Sequence, residues 1–181
     1  LGVAGDVTVE YIYGNQFYGD ADITASMDTW YSVNGVEVVF ACGGGIYTSA
    51  AEAAAKVDAK VIGVDSDQSP IIDAYGEGMT VTSAMKGLAP TVNTLLTEII
   101  LNDNFEAYAG KIENLGLVSA DDPTANYVQI PMETTQWTDT FTQDDYKTLV
   151  AAMFNGEIEV SNATDAAPEV EITLNEYGNI K

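Results

Sequence analysis

Between residues 36 and 68, apolar and polar positions fall in blocks that predict one strand–helix–strand unit. Val36, Val38, Val39 and Phe40 form a short apolar run that ends in Gly43-Gly44-Gly45. Ser49, with Glu52 three residues on, has the spacing of a capping box ahead of an Ala-rich helix. A second run, Lys60-Val61-Ile62-Gly63-Val64, ends in Asp65-Ser66-Asp67-Gln68. Two such runs joined by a helix predict parallel strands with a right-handed crossover. Sheets of this kind bind ligands outside the carboxyl ends of their strands, where both the glycines and Asp65 lie.

The rest of the chain extends this α/β pattern. Residues 6–13 alternate Val7, Val9, Tyr11 and Tyr13 against Thr8, Glu10 and Ile12, the pattern of a half-buried strand. A turn over residues 14–19 carries the adjacent aromatics Phe17 and Tyr18. Ile23, Met27, Trp30 and Tyr31 predict a helix over residues 20–33, stopped by Asn34-Gly35. Ser69-Pro70 opens a short helix, and residues 79–84 read as a further strand leading to Met85-Lys86-Gly87. Pro90 opens an amphipathic helix with Val92, Leu95, Leu96, Ile99 and Ile100 on one face, closed by residues 102–104. Downstream, a short strand is expected over 127–130 and a helix from Thr142, capped by Asn155-Gly156. Short extended segments are expected over 157–160 and 169–174. Trp30 and the apolar face of residues 92–100 read as core, and Trp137 as packing rather than a purine-stacking platform.

Composition narrows the function classes. The 181 residues are 46% hydrophobic, enough for a real core in one domain or two small lobes. Against 28 acidic residues stand 6 basic ones, all lysine, giving a net charge of -22. Such a chain is a poor partner for nucleic acid, whose phosphates need clustered Lys and Arg, and for anionic lipid headgroups. With no histidine, the usual general base and every Ser–His or Cys–His arrangement are excluded. Cys42, the only cysteine, is expected as a buried small hydrophobe. No pair of carboxylates stands out as acid and base, and Asp65-Ser66-Asp67 lacks the rest of a calcium loop, so neither an enzyme nor a cofactor is indicated. No apolar run is long enough for a membrane span, no signal peptide opens the chain, and its first five residues read as the end of a helix and its turn.

The apolar strand, Gly-Gly, helix, then VIGVDSDQ at residues 61–68 and VTSAMK at 81–86, resembles the basic membrane protein family, substrate-binding lipoproteins of ABC importers. VIGVDSDQ is the most specific part, and Asn155-Gly156-Glu157-Ile158 adds to it. The resemblance implies an α/β fold of the type I periplasmic-binding-protein kind, with two lobes closing on a ligand. It covers most of this chain but little more than the second half of a family member. The lipobox, nearly all of the first lobe and the opening strand of the second are unmatched. Residues 1–89 therefore correspond to a partial second lobe, and residues 90–181 to the crossover helix and the segment that completes the first.

The implied function is capture of a purine nucleoside (guanosine, inosine or adenosine) for delivery to an ABC permease. The implied location is the extracytoplasmic face of the cell membrane, with a lipid anchor in the full-length parent. The remaining partner would be the first lobe or a second chain. By resemblance Asp65 is the ribose ligand, since one carboxylate accepts hydrogen bonds from two vicinal hydroxyls. Lys86 would donate to a ribose oxygen or base acceptor while pairing with Asp65, or is a surface lysine. Phe17 or Tyr18 would stack on the base, or packs under its turn. Asn15 is a further polar contact. Gly43 and Gly44 either let backbone and free helix N–H groups approach a ligand, or make a tight strand-to-helix turn. The rival readings are a binding protein for a sugar or other small polar ligand, a nucleotide-dependent Rossmann-like enzyme, and a fragment that binds nothing.

Overall fold

The computed structural model describes residues 7–165 and 169–180. The expected start of the first strand at Asp6, the turn before it and part of the polar segment before residue 169 lie outside the described residues. In chain order the elements are β1 (Thr8–Tyr13), α1 (Ala21–Thr29), β2 (Val38–Phe40), α2 (Tyr47–Ala54) and β3 (Lys60–Asp65). They continue with α3 (Ser69–Ile72), β4 (Thr80–Lys86), α4 (Leu88–Leu96), β5 (Val128–Gln129), α5 (Gln143–Phe154) and β6 (Thr173–Asn179). β1 pairs with β6, and the remaining strands form a sheet of order β2-β3-β4-β5. β2 and β3 are parallel, as their helical connection requires, with Val39 opposite Val61. The short β5 joins β4 antiparallel. The fold is α/β. Its residues group into two compact units. One comprises the described residues up to Ile62, Ile71–Met79 and those from Val160; the other comprises Gly63–Pro70 and Thr80–Glu159.

The first unit holds a core of Ile23, Met27, Trp30, Tyr31, Val39, Val61, Ile72 and Met79 together with the alanines of α2. Asp20 caps α1 by accepting from the amides of Asp22 and Ile23, both at 3.0 Å. The helix continues as a π-helical turn over Trp30–Asn34 and stops at Gly35, whose φ of 73° only glycine adopts freely. Ala50, Ala51, Ala53 and Ala54 are buried, and side chains this small let α1 and α2 lie close. The last strand falls further along the chain than its alternation suggests. Pairing with β1 sets its position, with Thr173 opposite Thr8 and Asn175 Nδ2 donating to Glu10 Oε1 at 3.1 Å.

Two expectations fail in this unit. Ser49 caps nothing: it is the third residue of α2, buried, and its hydroxyl donates to Asp20 O at 3.1 Å. The helix starts earlier because the amides of Ile46 and Thr48 close turns onto the carbonyls of Gly43 and Gly45 and need no side-chain cap. Cys42 is exposed, not buried. Beyond Phe40 the chain leaves strand geometry in two successive tight turns, Cys42 N to Phe40 O and Gly43 N to Ala41 O. Val39 and Ala41 therefore take the inward positions, and Cys42 follows Phe40 outward.

In the second unit Thr142 and Asp145 form a full capping box for α5, and Gly156 at φ 74° follows the helix end. Trp137 packs on Phe141 and Tyr146, with ring centroids at 6.3 and 5.8 Å, in keeping with a packing role. Residues 157 and 158 form a bend, and residues 157–160 join no sheet. The apolar face of the fourth helix, expected as core, is not buried. α4 and the π-helical turn Thr97–Leu101 that continues it contain no buried residue, and Ile100 is 69% exposed. Leu95 and Ile99 are partly covered, while Val92, Leu96 and Ile100 stay exposed.

Candidate functional site

The candidate residues fall into two groups, one in each unit. In the first unit the turn after β1 is a compact loop. Asn15 is exposed in the left-handed region at φ 59°, a conformation asparagine tolerates. Gln16 Nε2 donates to Tyr18 O at 2.8 Å and to Asp20 Oδ2 at 2.7 Å, which folds the loop back toward the start of α1. Gly45 N then donates to Phe17 O at 2.8 Å, and Tyr18 forms an isolated parallel bridge with Gly45. Gly44 takes part in this turn at φ 42°, a conformation that glycine adopts freely.

Phe17, Gly43 and Gly44 are thus brought together, with Tyr18 beside them. Neither aromatic packs under its turn. Phe17 is 78% exposed and Tyr18 65% exposed, so two aromatic side chains stand in solvent on a backbone-anchored loop. At the start of α2 the amides of Ile46, Thr48 and Ser49 donate to nearby carbonyls, and that of Gly45 donates to Phe17 O. The glycine triplet makes a tight strand-to-helix turn on which the aromatic loop is seated.

In the second unit Asp65 ends β3 and Lys86 ends β4, and Lys86 Nζ meets Asp65 Oδ1 at 2.7 Å. The lysine side chain is 67% exposed and the carboxylate 32%, so the pair adds little stability while remaining open to a ligand. Asp65 itself is unusual, with φ at 68°. Ser66 N donates to Val64 O at 2.8 Å across it, which makes Asp65 the centre of a γ-turn of the rare positive-φ form. Asp65 thus combines a positive φ at the carboxyl end of a strand with a carboxylate that remains accessible.

Asp67 accepts from Ser69 N at 3.0 Å and from Thr134 Oγ1 at 2.8 Å. Burial acts to raise its pKa, but the bonds from the Ser69 amide, the Thr134 hydroxyl and the Ser69 side chain outweigh it and hold the carboxyl below its usual value. A carboxyl with a depressed folded pKa contributes stability above its unfolded pKa of about 3.9, and that contribution is lost as pH falls through the lower folded value. Thr134→Val is accordingly expected to lower stability at pH 7. Urea unfolding at a series of pH values should show the deficit shrinking once acid protonates Asp67.

Three residues near Asp65 escape the sequence reading: Gly63, Gln68 and Ser83. Gln68 and Ser83 are buried: Ser83 Oγ accepts from the Gln68 backbone N, and Gln68 Oε1 accepts from Val64 N at the end of β3. Their one sequence signal is Gly63, since a glycine inside a strand marks a close approach.

A family model described as "Bmp: ABC transporter substrate-binding protein PnrA-like" matches residues 3–160. No curated protein matches the chain.

Proposed function

The chain belongs to the Bmp family of ABC transporter substrate-binding proteins, and from that premise we propose that it takes part in binding a purine nucleoside for import. The observation that carries this reading is Asp65. Its carboxylate is fixed on a strained turn at a strand end, is accessible, and is held 2.7 Å from a lysine. A carboxylate beside an ammonium suits a vicinal diol: the diol donates two hydrogen bonds to the carboxylate, and the ammonium donates to a ring or hydroxyl oxygen. Phe17 and Tyr18 supply exposed aromatic faces of the kind that stack on a base, each such contact worth about 1–3 kcal/mol. Asn15 is an exposed polar side chain on the same loop. Gly43 and Gly44 serve by seating that loop.

In this reading the protein works at the extracytoplasmic face, lipid-anchored in its parent, and presents its ligand to a membrane permease. Residues 1–89 belong to the second lobe, and residues 90–181 carry the crossover that completes the first. The uncovered face of α4 packs against that first lobe. Only contacts that differ between open and closed forms drive closure of such a protein.

The test is calorimetric titration of the chain with guanosine, inosine and adenosine, with ribose and ATP as comparisons. Saturable binding of nucleosides but not of ATP is expected. The two charges of the Asp65–Lys86 pair suit hydroxyls whatever they are attached to, so a second reading, a binding protein for a sugar, rests on the same observation. Binding of ribose as tight as that of any nucleoside would select it.

A further inference from the structure

We propose that Gln68 is a positioning residue for Asp65, and that it locks the strained turn at the end of β3 from beneath. The inference rests on the reading of Asp65 as a ligand contact, and it names the part of the chain that sets that contact's geometry.

The γ-turn around Asp65 uses both polar groups of Val64. The Val64 carbonyl accepts from Ser66 N at 2.8 Å, and the Val64 amide donates to Gln68 Oε1 at 2.9 Å. The second of these is a buried bond between backbone and side chain, made by the residue that follows the turn. Gln68 is held in its turn by Ser83 of β4, whose Oγ accepts from Gln68 N at 3.1 Å. Ser83 is completely buried and Gln68 nearly so. The arrangement leaves no spare room. A Cβ at Gly63 would come within 2.8 Å of Gln68 Cβ, Gln68 Oε1 and Ser83 Oγ.

Gly63, Gln68 and Ser83 thus pack together directly under the turn that presents Asp65. A positive φ at a non-glycine residue persists only where its surroundings over-determine it. Without an acceptor for Val64 N, a buried donor would be orphaned, and the simplest relief is rotation of the 64–66 backbone. Rotation about φ of Asp65 swings its carboxylate away from Lys86.

The test compares the full chain with Gln68→Met, which keeps the length of the side chain and removes the acceptor. One readout needs no ligand: the intraresidue HN–Hα NOE of Asp65 read together with its three-bond HN–Hα coupling, since the short HN–Hα distance of a positive φ makes that NOE strong. The second is the affinity for inosine. In Gln68→Met the Asp65 signals are expected to leave the left-handed range, and inosine affinity to fall about tenfold. Gln68→Glu, which keeps an acceptor oxygen, is expected to retain both. In an Asp65→Ala background Gln68→Met should cause no further loss of affinity.

Should Gln68→Met fail to fold, Ser83→Ala is read in the same way, because it frees the Gln68 backbone. Left-handed Asp65 signals and unchanged inosine affinity in a folded but less stable Gln68→Met would overturn the proposal and reduce Gln68 to a core hydrogen bond. If the wild-type chain binds no nucleoside, it is the nucleoside reading that fails. The Asp65 signals still decide whether Gln68 positions it.

Discussion

Ile72→Ala is expected to destabilise the first unit by about 2–5 kcal/mol, the usual cost of removing a fully buried isoleucine side chain. Ile72 has no exposed surface and ends the four-residue helix α3, where it joins Val61, Met79 and the α2 alanines in one cluster. That cluster is rich in alanine, and short side chains cannot swing in to fill a void left among them. The cost should therefore lie toward the upper part of the range. Against a total stability of about 5–15 kcal/mol for a typical domain, the loss is severe. Each unit contains one tryptophan, Trp30 in the first and Trp137 in the second. Urea unfolding followed by fluorescence in a Trp137→Phe background isolates the first unit. A midpoint unchanged by Ile72→Ala would mean that the cluster is not the core it is taken to be.

Asp65→Ala is expected to weaken nucleoside binding by about 1.5–3 kcal/mol, the range for hydrogen bonds to a charged group. The same substitution should leave thermal stability almost unchanged. It removes an exposed ion pair of small worth, and alanine at φ 68° replaces one strained residue with another. That contrast is the point: a large effect on affinity with a small one on stability separates a binding residue from a structural one. Lys86→Ala should act in the same direction and more weakly, because its side chain is the more exposed of the pair. Calorimetry and a thermal melt on the same samples supply both numbers.

Much of this was legible in the chain itself. The block from 36 to 68 announced a parallel β–α–β unit because its apolar runs, glycines and alanines all agree. The Asp65–Lys86 pair was legible too, since both residues close strands. Where the reading failed, it failed on what spacing cannot encode. Ser49 and Glu52 have capping-box spacing, but backbone turns from the glycines had already begun the helix. Cys42 belongs to an apolar run, but tight turns after Phe40 put it outside. The apolar stripe around Val92 and Leu96 shows which side of a helix avoids water and says nothing of what covers it. Phe17 and Tyr18 were placed in the right turn, yet whether they pack or protrude depends on the backbone bridge to Gly45. Gln68 stayed hidden because a glutamine after a strand looks like loop. Only the fold brings it under Gly63 and beside Ser83.

The central claim is that Asp65 holds the vicinal hydroxyls of a ribose, and one comparison tests it most directly. Inosine and 2′,3′-dideoxyinosine share a base and differ in the diol, so titrating both into the wild-type chain and into Asp65→Ala isolates the contact. The account predicts that the wild-type chain prefers inosine by about 1.5–3 kcal/mol and that Asp65→Ala abolishes the preference. Equal affinity of the wild-type chain for both ligands, or a preference that survives Asp65→Ala, would contradict it.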